Sequence, residues 1–203
     1  MRRLSWQNDI EPEIPDRKLP INNNKKDDDQ QLVEHIDGHI YFYSDVTSLS
    51  VIKLNKVIRE ITNNMLPYKE DGLVLKLHIN SDGGVLLDGL AALDSIISNA
   101  LPIHTYVEGG AASAATLISV AGKKRFMHRH SFMLIHQMSS RLWGKYEEIK
   151  DDKENCDRFM KMIKDIYKEY TKVPMKKIDE ILKHDLWFDA DQCLEYGMID
   201  EIV

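Results

Sequence analysis

Val51, Leu54, Ile58, Ile61 and Met65 recur at intervals of three and four, the spacing that lines one face of a helix. Thr47 or Ser48 stands just before the run and offers the side-chain oxygen that caps a helix start. Leu86, Leu90, Leu93 and Ile97 repeat the pattern and predict a second helix over residues 85–98. Between the two, Leu73, Leu75, Leu77 and Ile79 fall on every second position, which predicts a strand with one buried face. Residues 39–43, 103–107, 125–128 and 132–136 read as further short strands, and residues 112–121 as a helix closed by Gly122. Strand and helix in alternation predict βαβ units around a largely parallel sheet, an α/β fold.

After residue 136 the pattern changes. Residues 144–171 form one helical stretch rich in Lys, Glu and Asp, with Ile149, Cys156, Phe159, Ile163, Ile166 and Tyr170 as its apolar stripe. A helix of that length is about 40 Å long, more than a small domain needs for its own core. An apolar stripe on a projecting helix calls for a partner surface, and a second copy of the chain is the simplest one. Val173-Pro174 interrupts the pattern, and a short helix follows over 175–182. Leu186-Trp187-Phe188, a helix over 190–196 capped by Gly197, and an edge strand over 198–203 complete the chain.

Residues 1–35 differ from the rest. They hold Pro12, Pro15 and Pro20 and the polar tract from Asn22 to Gln31, too little apolar area to offset the entropy of ordering. They are expected to form a flexible arm, a propeptide or pore segment, ahead of one globular domain over 36–203. The 203 residues suffice for a single core. A net charge of −6 disfavours nonspecific nucleic-acid binding, and no apolar run reaches the roughly 18 residues of a membrane span. Arg2 and Arg3 have no apolar stretch behind them, so no secretory signal is read there. With only Cys156 and Cys193, neither a disulfide framework nor a metal site is expected, and a cytoplasmic setting fits best.

Three places carry candidate chemistry. Ser113 sits among small residues in Gly109-Gly110-Ala111-Ala112-Ser113-Ala114-Ala115, between a predicted strand and a predicted helix. It is either a helix cap or a nucleophile that a substrate can approach closely. His136 ends the apolar run Phe132-Met133-Leu134-Ile135 and is either an edge histidine or a general base. Asn80-Ser81-Asp82-Gly83-Gly84 lies between strand and helix, where paired glycines make a tight turn or free N–H groups for an oxyanion. Phosphate-loop spacings are absent. A serine and a histidine need a carboxylate to orient the imidazole, and Asp185, Asp189 and Asp191 all stand near one another late in the chain.

In this order, Ile79-Asn80-Ser81-Asp82-Gly83-Gly84, Gly110-Ala111-Ala112-Ser113-Ala114, Met133-Leu134-Ile135-His136-Gln137, Asp185 and Glu195-Tyr196-Gly197-Met198-Ile199-Asp200 resemble the ClpP peptidases over residues 36–203. The resemblance implies Ser113 as nucleophile, His136 as base and Asp185 as acid, with the N–H groups of Gly84 and Ala114 as oxyanion hole. It implies a ClpP/crotonase-like spiral fold with residues 144–171 as a protruding handle helix. It further implies two stacked heptameric rings enclosing the sites, fed with unfolded protein by an AAA+ unfoldase. That partner, not this chain, would use ATP, and no cofactor or metal is expected here.

Several positions depart from the family pattern. Asp82 stands where the family usually has proline, and Met138-Ser139-Ser140 replaces its usual Pro and Gly residues. Arg141-Leu142-Trp143 is inserted, and the N-terminal segment is unlike the family's. Such divergence resembles a phage-type or accessory member, which would work in a host cytoplasm. It also motivates an alternative, a silent or regulatory paralogue that co-assembles with an active ClpP. An acyl-CoA enzyme of the same fold would not explain the Ser, His and Asp together. A Ser–Lys pair would have to use Lys123 or Lys124, which follow the helix end and are expected to face solvent.

Overall fold

The computed structural model describes residues 33–36, 38–67 and 72–203, and over residues 39–127 strand alternates with helix. Strands β1 (Val33–Ile36) and β2 (His39–Phe42) form an antiparallel pair. Helix α1 (Ser48–Met65) starts at Thr47, whose side chain accepts from Ser50 N–H while the Ser50 hydroxyl accepts from Thr47 N–H. Such a cap is worth about 1 kcal/mol. Fully burying one aliphatic side chain is worth about 1.5–3 kcal/mol, so the buried face of Val51, Leu54, Ile58 and Ile61 outweighs it several times over.

The parallel core follows. Strand β3 (Leu75–Ser81) leads into α2 (Leu86–Ile97), β4 (Ile103–Ala112) into α3 (Ala114–Val120), and then comes β5 (Lys124–Met127). Strand β6 (Phe132–Leu134), the long helix α4 (Tyr146–Tyr170), α5 (Met175–Ile181), β7 (Trp187–Phe188), α6 (Ala190–Glu195) and β8 (Glu201–Ile202) complete the described elements. The described residues form one eight-stranded sheet. Its main path runs β1-β2-β3-β4-β5-β8, with all neighbours after β1-β2 parallel.

Strand β4, at ten residues the longest of the described strands, has its length for a reason. Its first half, His104–Val107, pairs with β5, and its second half, Gly110–Ala112, pairs with β6. It therefore outlasts the strand predicted over 103–107 and carries the chain to Ser113 at its C-terminal end. Leu75, Leu77 and Ile79 of β3 are fully buried against the helices. On the opposite face, rings of Tyr41, His78, Tyr106 and Phe126 stack in a row across four strands, with centroids 4.5–5.0 Å apart.

Four expectations change. The arm expected over 1–35 falls largely outside the described residues, and its last three residues belong to β1. Gly122 does not close α3 in a left-handed turn. It is small because a Cβ there would meet Thr105 Oγ1 at 2.3 Å. The strand expected over 198–203 is confined to Glu201–Ile202, since the N–H groups of Met198 and Ile199 turn back to the Cys193 carbonyl of α6. The stripe of the long helix is also shorter than its sequence suggests. Ile163 and Tyr167 are its buried residues, while Ile149 is exposed. The helix end nearest Trp143 and Tyr146 projects, with those rings 92% and 74% exposed.

Candidate active site

Ser113 occupies the turn between β4 and α3 with φ 52° and ψ −125°, the one non-glycine residue with positive φ among those described. A side chain in that region costs about 1–3 kcal/mol and persists only where surroundings enforce it. Here Ser113 N–H donates to the Leu134 carbonyl of β6 at 2.8 Å. Its own carbonyl accepts from the N–H and the hydroxyl of Thr116, at 3.0 and 2.6 Å. The hydroxyl of Ser113 has no hydrogen bond among the described residues and lines a pocket of about 290 Å³.

The Asn80–Gly84 segment fits under that turn. Asn80 Oδ1 accepts from Gly110 N–H of β4 at 3.1 Å, and Ser81 Oγ accepts from Gly83 N–H at 3.2 Å. Gly83 and Gly84 have φ of +95° and +149°, and both are crowded. A Cβ on Gly84 would lie 2.3 Å from the Val46 carbonyl oxygen. Val46 N–H donates to Gly83 O and Val85 N–H to Val46 O, which leaves the Gly84 N–H between them without a backbone acceptor among the described residues. Ala114 N–H, the first of α3, likewise has no backbone acceptor among the described residues. Gly84 and Ala114 line the same pocket as Ser113. Asp82 is exposed and borders a separate depression with Tyr43 and Asp45, so its charge lies outside this pocket.

His136 also lines the pocket, two residues beyond β6. The neighbouring Gln137 N–H donates to the Leu182 carbonyl at 2.8 Å, which anchors the loop to α5. His136 Nδ1 lies 3.0 Å from Asp185 Oδ1. The imidazole is 25% exposed and the carboxylate 77%. The other two acids are engaged elsewhere. Asp189 caps α6 by accepting from Gln192 N–H at 2.9 Å, and Asp191 pairs with Arg129 at 2.7 Å. Lys124 pairs with Glu201 at 2.8 Å, away from Ser113, and Lys123 is exposed.

The pocket walls beyond these polar groups are apolar: Leu117 of α3, Met138, and Ile163 and Tyr167 of α4. Tyr167 and Thr116 escape the sequence reading, because their hydroxyls meet across 51 residues and neither belongs to a recognisable motif. The cysteines are free, and burial pushes the Cys193 thiol up to about 12, which makes it a poor nucleophile. Among the described residues no cluster of three or more His, Cys, Asp or Glu suits a metal. No described helix is long and apolar enough to cross a membrane.

Residues 38–203 match the family model described as Clp protease. The chain is 35% identical over 131 residues to ATP-dependent Clp protease proteolytic subunit 1 of Chlamydia felis. It is equally similar to proteolytic subunit 2 of Chlamydia abortus, and 34% identical to that of Chlamydia muridarum. Each match covers 64% of this chain and 64% of the relative's length. Among solved structures, a ClpP1 variant from Listeria monocytogenes superposes with a TM-score of 0.65 at 21% identity. That match covers 81% of this chain and 90% of that one, and it shows a shared fold.

Proposed function

The chain belongs to the Clp protease family, and on that premise we propose that it is a serine endopeptidase subunit acting through Ser113, His136 and Asp185. The observation that carries the reading is the 3.0 Å contact of His136 Nδ1 with Asp185, on a histidine that shares one pocket with Ser113 and with Gly84 and Ala114, whose N–H groups have no backbone acceptor among the described residues. Asp185 holds the proton on Nδ1 and so leaves Nε2 as the basic nitrogen. Nε2 takes the Ser113 proton as Oγ attacks the carbonyl carbon of the scissile peptide. Catalytic hydrogen bonds in unliganded sites are often long and tighten when substrate arrives.

The tetrahedral oxyanion then accepts from Gly84 and Ala114 N–H. Ala114 adds the favourable field at the start of α3. Collapse breaks the C–N bond, and His136 returns its proton to the departing amine. A water, deprotonated by the same nitrogen, releases the acyl group from Ser113 and restores the serine. The walls formed by Leu117, Met138 and Ile163 suit an apolar side chain on the acyl side of the cut bond.

On the same reading the subunit works in a ring-shaped homo-oligomer of two heptameric rings, supplied with unfolded chains by an AAA+ unfoldase that uses the ATP. The exposed end of α4, with Trp143 and Tyr146, is the surface such an assembly would cover. Hydrolysis of a short fluorogenic peptide by the assembled protein, measured beside its mass in solution, tests the proposal. Activity in the assembled wild type and none in Ser113→Ala is the expected result. Equal activity in the two contradicts it, and an assembled wild type with no activity favours a silent ring subunit.

A further inference from the structure

Tyr167 is 3% exposed, and its hydroxyl lies 2.5 Å from Thr116 Oγ1. Thr116 Oγ1 in turn lies 2.6 Å from the carbonyl oxygen of Ser113. A threonine hydroxyl carries one proton, and a carbonyl only accepts. Thr116 therefore donates to Ser113, and Tyr167 is left as the donor to Thr116. The direction of this short chain runs from α4, through the first turn of α3, to the backbone of the serine. Burial pushes the Tyr167 phenol up, which keeps it a protonated donor.

The Ser113 carbonyl matters because of what shares its peptide group. In a trans peptide the C=O and the next N–H lie in one plane and point in opposite directions, and the described residues contain no cis peptide bond. The N–H opposite the Ser113 carbonyl is that of Ala114. Holding the carbonyl toward Thr116 turns Ala114 N–H the other way, and Ala114 lines the pocket together with Gly84. The backbone here is strained at Ser113, so the peptide plane has a relaxed alternative to rotate toward if its restraints weaken.

We propose that Tyr167 is a positioning residue of the peptidase site, which acts through Thr116 to lock the Ser113–Ala114 peptide with its N–H aimed at the oxyanion. The aim of that donor then depends on how α4 is seated, so a shift of the long helix is felt at the nucleophile. The proposal rests on the assignment of Ser113 as nucleophile.

The test is steady-state hydrolysis of a short peptide amide by the assembled protein and by Tyr167→Phe, Thr116→Val and Thr116→Ser. Tyr167→Phe keeps the ring in place and removes one proton donor. Deleting an oxyanion donor costs about 10²–10³ in kcat. A donor misaimed rather than lost should cost less, on the order of tenfold. The expected result is that fall in kcat with KM within about twofold, a similar or larger fall for Thr116→Val, and near-complete recovery in Thr116→Ser. Affinity for a peptide boronate, which mimics the tetrahedral state, should drop in step with kcat/KM. A Tyr167→Phe protein with kcat within about twofold of wild type overturns the proposal, whatever happens to its melting temperature. So does a Thr116→Ser protein no better than Thr116→Val. A wild type whose activity survives Ser113→Ala, or that has none, overturns the nucleophile assignment and this proposal with it.

Discussion

Gly83 and Ser113 are in such close contact that a Cβ on the glycine would lie 2.7 Å from the Cβ of the serine. The same added atom would lie 2.5 Å from the Ala112 carbonyl oxygen, and Gly83 has a φ of +95°. Neither obstacle is a flexible side-chain end. Gly83→Ala is expected to destabilise the fold by about 3 kcal/mol, at the upper end of ordinary single substitutions. Denaturant unfolding measures it. A loss under 1 kcal/mol would mean that the turn is not packed as described.

Ser113 itself bears strain that its replacement can relieve. Glycine tolerates φ 52° at no steric cost, whereas alanine keeps the penalty. After allowance for the greater freedom of glycine in the unfolded chain, Ser113→Gly should be more stable than Ser113→Ala by about 1 kcal/mol. Both should be inactive. A glycine variant less stable than the alanine variant contradicts the strained turn.

Asp185 reaches His136 from a largely exposed position, so water competes for the contact. Replacing the triad acid with its amide costs up to about 10⁴ in kcat where the acid is buried. Asp185→Asn is expected to lose about 10²-fold or more in kcat, with KM little changed. Asp189→Ala, which removes the cap of α6 instead, should cost about 1 kcal/mol of stability and leave kcat nearly unchanged. Peptide hydrolysis by both variants separates the roles, and the reverse ranking would move the acid to Asp189.

Arg125 gathers the C-terminal part of the chain. It binds both oxygens of Asp200, at 3.0 and 2.5 Å, and donates to the carbonyls of Gly197 and Tyr170. Burial alone would raise the Asp200 carboxyl, but hydrogen bonds from the Arg125 side chain and backbone outweigh it and hold the group below its ordinary value. A carboxyl lowered on folding stabilises the protein fully above its unfolded value, about 3.9, and loses that contribution as the pH falls through the folded value. The stability difference between wild type and Asp200→Asn should therefore be larger at pH 7 than at pH 3. Thermal or denaturant unfolding at the two pH values checks it, and a difference independent of pH contradicts it.

What the sequence reveals and what it hides follow the range of the interactions. Thr47 and the stripe Val51, Leu54, Ile58 and Ile61 are local, so helical spacing exposes them. Ser113, His136 and Asp185 carry no local signature of a shared site. They are found together because four motifs occur in a familiar order. The choice among three nearby acids becomes physical only when Asp189 is seen to cap α6 and Asp191 to pair with Arg129. The Tyr167–Thr116 contact is long-range and pairs two residues that look like ordinary helix positions. Gly122 resembles a helix stop, yet a single side chain from β4, Thr105, dictates its size. Tyr146 and Ile149 at the start of α4 stay exposed, apolar positions that the fold of the single chain does not use.

Every proposed role in the pocket depends on Ser113 being a nucleophile activated by His136. Treating the assembled protein with a fluorophosphonate and measuring intact and peptide masses tests it most directly. One adduct per subunit on the peptide containing Ser113, lost in Ser113→Ala and strongly slowed in His136→Ala, is the predicted result. An assembled wild type that takes up no probe, or takes it up on another residue, contradicts the account.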